Sequence, residues 1–473
     1  MFDAINNVVG AISGVLYQPW CVPLILLAGG LYLTIRSKFI QGRMLTEMFK
    51  VVSEKPKTEG GISSFGALMV STASRVGTGN IIGVTSAIAV GGAGALFWMW
   101  VTAIIGGASA YVESTLAQIY KKRDLDGTAY GGPAYYMANA LGQRWLGVIF
   151  SVIIILTYAV GYNMLAAYNL QSTFKAFSFY SNATPIVIGI ILAVLFGIIV
   201  IGGAKRLINV TGVMVPIMGV IYVAVAIIVL IINIKNIPAM FGMFFDSAFD
   251  FKAIFGGFAG SCIMTVIKRG LYSNEAGMGS APNAAAKADV SHPAKQGLVQ
   301  MLSVFLDTLL ICTATGFMVL SSGIGVTEEM KADAALYVQG ALGESLGAFG
   351  PIFICIAMCL FAFTTLIGNY SYCEGCLDFI AGKKVSGAGL KLFRIVATVL
   401  IFVGTIASAG MVWNIADMLQ GFMVVINVPV IVILAKPAMK ALEDYIAQKK
   451  AGKDPHFVAK DIGLDDTEMD FWK

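Results

Sequence analysis

Ser74-Arg75-Val76-Gly77-Thr78-Gly79-Asn80 lies at the centre of an apolar segment running from about residue 62 to 90. Lys268-Arg269-Gly270-Leu271-Tyr272-Ser273-Asn274-Glu275-Ala276-Gly277-Met278-Gly279 lies inside a second, from about 256 to 288. Both stretches are too polar and too rich in glycine to face lipid, where each unpaired backbone group is costly. Such backbone is tolerated at membrane depth only where it lines a cavity, so each segment reads as a spanning element opened in its middle. The first is also too long for one straight crossing, which takes about 20 residues.

The rest of the chain supplies the membrane. Of 473 residues, 58% are hydrophobic and 12% charged, against about 25% charged in a soluble domain. Mean hydropathy is +0.81. These values exclude a string of soluble domains, a disordered chain and a coiled coil. They also exclude an outer-membrane barrel, whose strands alternate apolar and polar residues. An all-α polytopic membrane protein remains. The net charge of +5 is then a bias of Lys and Arg toward one side of the bilayer, not a nucleic-acid footprint. The seven cysteines fall mostly in apolar runs, as at Cys312, Cys355 and Cys359, and read as small hydrophobes. With two histidines, His292 and His456, and no Cys/His cluster, neither zinc nor haem is expected. No phosphate-binding Gly-x-x-x-x-Gly-Lys-Ser/Thr stretch is present. No nucleophile–base pair falls at membrane depth, so the chain does not read as an enzyme.

Apolar segments at about 20–35, 62–90, 94–119, 145–174, 184–202, 208–233, 256–288, 297–321, 348–378, 392–408 and 412–435 give about eleven spans. The first lacks the basic lead and small-residue cleavage site of a signal peptide. Basic clusters at Arg36–Lys57, Lys121–Arg123, Lys205-Arg206, Lys287–Lys295, Lys383-Lys384 and Lys436–Lys440 all fall on one face if each segment crosses once. The opposite loops carry little beyond Lys175, Lys235, Lys252 and Lys331. This places the N-terminus outside and the C-terminus in the cytoplasm. With the span at 20–35 set aside as an extra helix, the opened segments become the first and sixth of ten. Two five-helix halves, about 62–233 and 256–435, then carry a break at the same position. Because five is odd, the halves have opposite orientation, the pattern of an inverted-repeat secondary transporter. Residues 1–440 form one transmembrane domain. Residues 441–473 read as a charged, roughly helical, solvated cytoplasmic tail.

Several residues at these breaks carry chemistry. Opening a helix leaves amides at the positive start of its second half, so the amides of Thr78 and Gly79 suit a small carboxylate. A glycine hinge or close helix contact is the alternative, against which Arg75 and Asn80 argue by their polarity. In Ser273-Asn274-Glu275-Ala276, the carboxylate of Glu275 either meets a substrate ammonium or neutralises Arg269, and the second role is favoured because a charge at bilayer depth is usually paired. A break nearer Met264-Thr265 is the other placement. Thr364 and Thr365 offer hydroxyls to a hard monovalent cation, or each bonds to its own helix four residues back. Glu113, Asp307 and Asp417 are proton relays or ion-pair partners, with Asp307 or Glu113 paired to Arg75 or Arg269 as the simpler arrangement. Asn163, Asn169 and Gln171 share one segment and divide between cavity and outer interface. Phe97-Trp98-Met99-Trp100 reads as an interfacial anchor.

Gly77-Thr78-Gly79-Asn80-Ile81, Gly91-Gly92-Ala93-Gly94-Ala95-Leu96-Phe97-Trp98-Met99-Trp100, Lys268-Arg269-Gly270 and Ser273-Asn274-Glu275-Ala276-Gly277-Met278-Gly279-Ser280-Ala281-Pro282 closely resemble the alanine or glycine:cation symporter family. The resemblance covers the chain to about residue 440. It implies sodium-coupled uptake of alanine or glycine across the cytoplasmic membrane, with a leucine-transporter-type core of two inverted five-helix repeats. It aligns Gly77–Asn80 with the unwound first core helix of that fold. It also implies a sodium site of carbonyls from Ala73, Val76 and Phe361 with the hydroxyls of Thr364 and Thr365. The substrate site it implies comprises Thr78, Gly79, Asn80, Gln171, Ser273, Asn274, Glu275 and Ala276. The expected partners are sodium, a small neutral amino acid and the bilayer, with no nucleic acid. The rivals are a proton-coupled carrier titrating at Glu113, Asp307 or Glu275, and a channel, which would need a symmetric filter. Alanine against glycine, enantiomer tolerance, stoichiometry and oligomeric state stay open at this level.

Overall fold

The computed structural model describes residues 2–473 except 60, 125–126, 202, 251–261 and 468. The start of the segment expected from about 256, and the outer-loop Lys252, lie outside the described residues.

The chain is an all-α, multi-pass membrane protein. Eight helices among the described residues are long and apolar enough to cross a bilayer: Ala95–Ile119, Arg144–Ala176, Thr184–Ile201, Arg206–Ile232, Pro293–Ser321, Phe349–Ala381, Ala388–Ile406 and Ala409–Ile433. Their burial sorts them into centre and rim. Pro293–Ser321 has 72% of its most apolar window buried, whereas Thr184–Ile201 and Ala388–Ile406 have 22% each. The last two pack on each other at the rim, and Thr184–Ile201 is apolar all round, as a lipid-facing helix is. Shorter apolar helices run over Val22–Arg36 and Gly79–Gly91, and a further one over Phe2–Leu16 was not expected. It lies along Ala409–Ile433, where Asn414 Nδ2 donates to Asn6 Oδ1 at 2.9 Å.

Both expected breaks are present. Ser63 caps Ser64–Arg75 by accepting from Gly66 N, and Val76 ends it with an extended backbone, φ −75° and ψ 90°. The chain re-enters a helix at Gly79 through a wide turn over Gly79–Gly83. The second break opens after Cys262–Asn274. Glu275 adopts φ +55°, and Gly277 and Gly279 adopt +82° and +79°, conformations that glycine reaches without the Cβ clash. Met264 and Thr265 lie within the helix, so the break is not at the higher position. The segment does not resume as a second long half: only Pro282–Ala285 is helical before Pro293.

Phe349–Ala381 is laid against the first broken helix by a close backbone approach. A Cβ at Gly368 would overlap the backbone nitrogen of Ser74. On the basic face, the backbone after the second break joins the lead into the first, Asp289 N donating to Ile62 O at 2.9 Å. The C-terminal segment departs from the expected solvated tail. After the helix Ala435–Lys450 the chain turns back on the protein, and Phe457, Ala459 and Met469 are buried. Its charge pattern is that of an exposed helix, but its few apolar residues find a surface to cover.

Candidate functional site

The turn at Gly77–Asn80 is held by the Asn80 side chain. Gly77 N donates to Asn80 Oδ1 at 2.8 Å, and Asn80 N donates to Gly77 O at 3.1 Å. This leaves the amides of Thr78 and Gly79 as the turn's donors among the described residues. Asn80 Nδ2 donates to Asp307 Oδ1 at 2.7 Å. The other Asp307 oxygen accepts from Ser273 Oγ at 2.7 Å and from Thr308 Oγ1 at 3.0 Å. A fully buried carboxylate on Pro293–Ser321 therefore joins the first break to the second.

A second link runs through aromatic and amide groups. The Thr78 and Tyr272 hydroxyls are 2.7 Å apart, and Asn169 Nδ2 donates to Thr78 Oγ1 at 3.3 Å. The Tyr272 ring lies on Gly79, where an added Cβ would meet Cδ1 at 2.9 Å. Tyr162 and Trp413 hold that ring edge-on, with centroids at 4.8 and 5.4 Å. Asn274 closes the local turn: its Oδ1 accepts from Ala276 N at 3.0 Å and its Nδ2 donates to Thr308 Oγ1 at 3.2 Å. Ala276 is pressed on Gly106, where an added Cβ would come within 2.8 Å.

Glu275 makes a third link. Its Oε2 accepts from Ser280 Oγ at 2.7 Å, and Ser74 Oγ lies 3.0 Å from its Oε1. Ser74 Oγ is also 2.6 Å from Asn369 Oδ1, and Asn369 Nδ2 donates to Asn163 Oδ1 at 2.9 Å. The expectation that Glu275 neutralises Arg269 is corrected here. Arg269 Nη2 donates to Asp417 Oδ2 at 3.0 Å, with its guanidinium 3.9 Å from the Trp413 ring centre, and Lys268 Nζ reaches the same carboxylate at 3.6 Å. The pairing of Arg75 with Asp307 or Glu113 is not formed as an ion pair either. Arg75 Nη1 donates to Gln300 O at 3.1 Å, and its Nε and Nη2 have no hydrogen-bond partner. Glu113 accepts from Gly279 N at 3.0 Å and Asn427 Nδ2 at 2.8 Å. Sequence spacing favours the near neighbour Glu275, but the break turns its carboxylate toward Ser74 and Ser280, and Arg269 meets a carboxylate 148 positions away.

The two threonines part ways. Thr364 Oγ1 donates within its own helix, 3.0 Å from both Leu360 O and Phe361 O, and lies 3.5 Å from Met218 Sδ. Thr365 Oγ1 is buried without a hydrogen-bond partner. It faces the first break, where a Cβ added to Gly77 would collide with it. A buried hydroxyl left unsatisfied is unusual and points to a group that completes it. Ala73, Val76 and Phe361 are all buried, and the Ala73 carbonyl carbon packs on Gly368, one turn beyond Thr365.

Gln171 is not brought to the breaks. Its Oε1 accepts from Tyr180 O–H at 3.0 Å, and it lines a cavity of about 540 Å³ with Tyr168, Lys175, Phe402 and Ser408. Asn169, two residues earlier, reaches Thr78 instead. Tyr272 and Asn369 were not singled out by sequence. Each carried a signal: Tyr272 directly precedes Ser273, and Asn369 falls four residues after Thr365, on the same helix face.

Comparison with known proteins adds an independent line. The model of the sodium:alanine symporter family matches residues 2–459. The chain is 45% identical to the amino-acid carrier protein AlsT of Bacillus subtilis over 445 residues, 94% of this chain and 93% of that one. It is 41% identical to the probable sodium/glutamine symporter GlnT of Bacillus subtilis, over 100% of this chain and 97% of that one. It is 37% identical to the sodium/alanine symporter AgcS of Methanococcus maripaludis, over 89% and 93%.

Proposed function

The chain belongs to the sodium:alanine symporter family, and from that premise we propose that it is a secondary active transporter coupling sodium entry to uptake of alanine or glycine. The observation that carries this reading is the junction of two opened helices by Asp307, beside the unpartnered Thr365 hydroxyl. In this reading the ten helices after Arg36 form a leucine-transporter-type core of two inverted five-helix repeats, with one extra N-terminal span and about eleven spans in all. The transporter domain covers residues 1–440. The N-terminus is outside and the C-terminus in the cytoplasm, as the Lys and Arg bias favours, and the membrane is the cytoplasmic one.

The substrate carboxylate docks on the amides of Thr78 and Gly79 at the start of the second half-helix, where the backbone dipoles favour negative charge. Asn80, Ser273, Asn274, Glu275 and Ala276 shape the same space through the links described above. The Tyr272 ring on Gly79 and the tight seat of Ala276 on Gly106 favour a small side chain over the glutamine named for one relative. Gln171 acts at the outer cavity, on the approach to the site. Sodium sits between the carbonyls of Ala73, Val76 and Phe361 and the Thr365 hydroxyl. Thr364 contributes less, because its hydroxyl already serves its own helix.

Transport proceeds by alternating access. Sodium and substrate favour the same conformations, so each raises the other's affinity by the same factor. The test is uptake of labelled alanine into proteoliposomes under an inward sodium, potassium or proton gradient. Sodium alone should drive accumulation. Accumulation driven by the proton gradient alone would replace this reading with the proton-coupled one. Competition by glycine, D-alanine and glutamine then orders the substrates.

A further inference from the structure

We propose that the described residues 454–467 and 469–472 form a latch that holds the cytoplasmic side of the transporter shut and must release for substrate to leave. The proposal rests on the alternating-access reading above, and concerns the face assigned there to the cytoplasm.

What the segment covers is the joint between the two broken elements. Thr58 N and Oγ1 both donate to Asp289 Oδ2, at 2.6 and 2.7 Å, and Asp289 N donates to Ile62 O. Thr58 and Ile62 lead into the first broken helix, and Asp289 follows the second break. Parting these strands of chain is the direct way to open the space between the breaks on this side.

The C-terminal segment lies across that joint and is held from both sides of it. Trp472 packs on the cluster formed by Ile62, Ala67, Ala288 and Val290, and its Nε1 donates to Gln118 O at 2.8 Å. Lys121 Nζ sits 4.9 Å from the Trp472 ring centre and 4.6 Å from that of Phe471. Burial of the Lys121 ammonium lowers its pKa to about 7, although Asp289 opposes the shift. Phe457 N donates to Ser291 O at 3.0 Å, and the Phe457 ring is edge-on to His292 and Trp472. Lys57 Nζ and His456 Nδ1 are 2.9 Å apart. Asp470 Oδ2 accepts from Arg123 N at 2.9 Å. The segment therefore grips the lead into the first break, the loop after the second, and the end of Ala95–Ile119.

Two features distinguish a latch from a permanent brace. Trp472 is held at φ +72°, a backbone conformation costly for a bulky residue and kept only by its surroundings. The polar part of the grip is made of cation–π contacts, single hydrogen bonds and partly exposed ion pairs, which form and break at little cost, while the buried Phe457, Ala459 and Met469 pack on Ile119 and Ala441 rather than on the joint itself. Elements that move are drawn from the less stable parts of a fold.

The experiment is hydrogen–deuterium exchange of the full chain in lipid nanodiscs, read on peptides covering 58–67, 286–292, 454–471 and the Phe349–Ala381 helix. Trp472→Ala should speed exchange at 58–67 and 286–292 by about tenfold, the effect of losing a hydrogen bond and a cation–π contact on an opening equilibrium. Phe349–Ala381 should stay as in the wild type. Asp470→Asn, which removes only partly exposed contacts, should give a smaller rise of about twofold at the same peptides. If 454–471 exchanges faster in Trp472→Ala while 58–67 and 286–292 do not, the segment leaves without opening the joint and the latch is refuted. An equal rise in every helix makes the segment a structural brace and refutes the latch as well. Absence of sodium-driven uptake by the wild type would overturn the transport reading, whereas the exchange pattern alone decides the latch.

Discussion

Asn80 and Asp307 are 227 positions apart, and Asn80 Nδ2 donates to Asp307 Oδ1 at 2.7 Å and to the Asp307 carbonyl at 3.3 Å. Through the same two side chains the first break is braced internally, at Gly77 N, and externally, at Ser273 on the second break. Asp307→Asn keeps the shape but gives Asn80 and Ser273 a weaker acceptor. A hydrogen bond to a charged group is worth roughly 1.5–3 kcal/mol. Sodium-driven alanine uptake by Asp307→Asn should therefore fall at least tenfold with the folded protein still recovered. Uptake equal to the wild type would remove Asp307 from the site.

The threonines should behave unequally. Thr365→Val removes the unpartnered hydroxyl, and the loss of one oxygen to a cation, roughly 1.5–3 kcal/mol, corresponds to a ten- to hundredfold rise in the sodium needed for half-maximal uptake. Thr364→Val removes a hydroxyl bonded to its own helix carbonyls rather than to the cation, and should shift the sodium curve by less than about threefold. Sodium titration of uptake in both variants is the measurement. Equal curves for both would move the cation elsewhere.

Docking on backbone amides makes the carboxylate indispensable and the nearby ring limiting. Alaninol and alanine amide should compete poorly with labelled alanine. Gly79→Val should abolish uptake, since its side chain would run into Tyr272. Tyr272→Ala should admit larger amino acids, read as new competition by glutamine or leucine. A competition profile unchanged in Tyr272→Ala would take that ring out of substrate selection.

The charges of the second broken element divide into a structural pair and a polar link. Asp417→Asn leaves the Arg269 guanidinium without its carboxylate, and breaking a buried pair in this way costs roughly 3–5 kcal/mol. The variant should lose folded yield and thermal stability in detergent. The double variant Arg269→Met with Asp417→Leu should recover much of that loss, because apolar replacement of both partners is far cheaper. Glu275→Gln should fold normally, since an amide can still meet Ser74 and Ser280. Low yield of Glu275→Gln, with normal yield of Asp417→Asn, would reverse the assignment.

Much of the architecture was set by composition and local pattern. A run of about 20 apolar residues has one low-energy place, and Gly-rich polar backbone inside it has one excuse. Eight of the expected spans, and the breaks at Val76–Thr78 and Glu275–Gly279, were therefore legible from short windows of sequence. The polar character of the site was legible for the same reason: Asn80, Ser273 and Thr365 stand out against apolar neighbours. Pairing was not. That Arg269 meets Asp417 rather than Glu275, that Asn169 rather than Gln171 reaches Thr78, and that Thr365 but not Thr364 faces the break depend on which helix faces lie together. A one-residue step rotates a side chain about 100° around a helix, so neighbours in sequence face different partners. The fate of the C-terminal segment also waited on the tertiary structure. Its few aromatic residues carry no periodic signal, and only the folded joint beneath them supplies the apolar surface and the Lys121 cation that hold Phe471 and Trp472 in place.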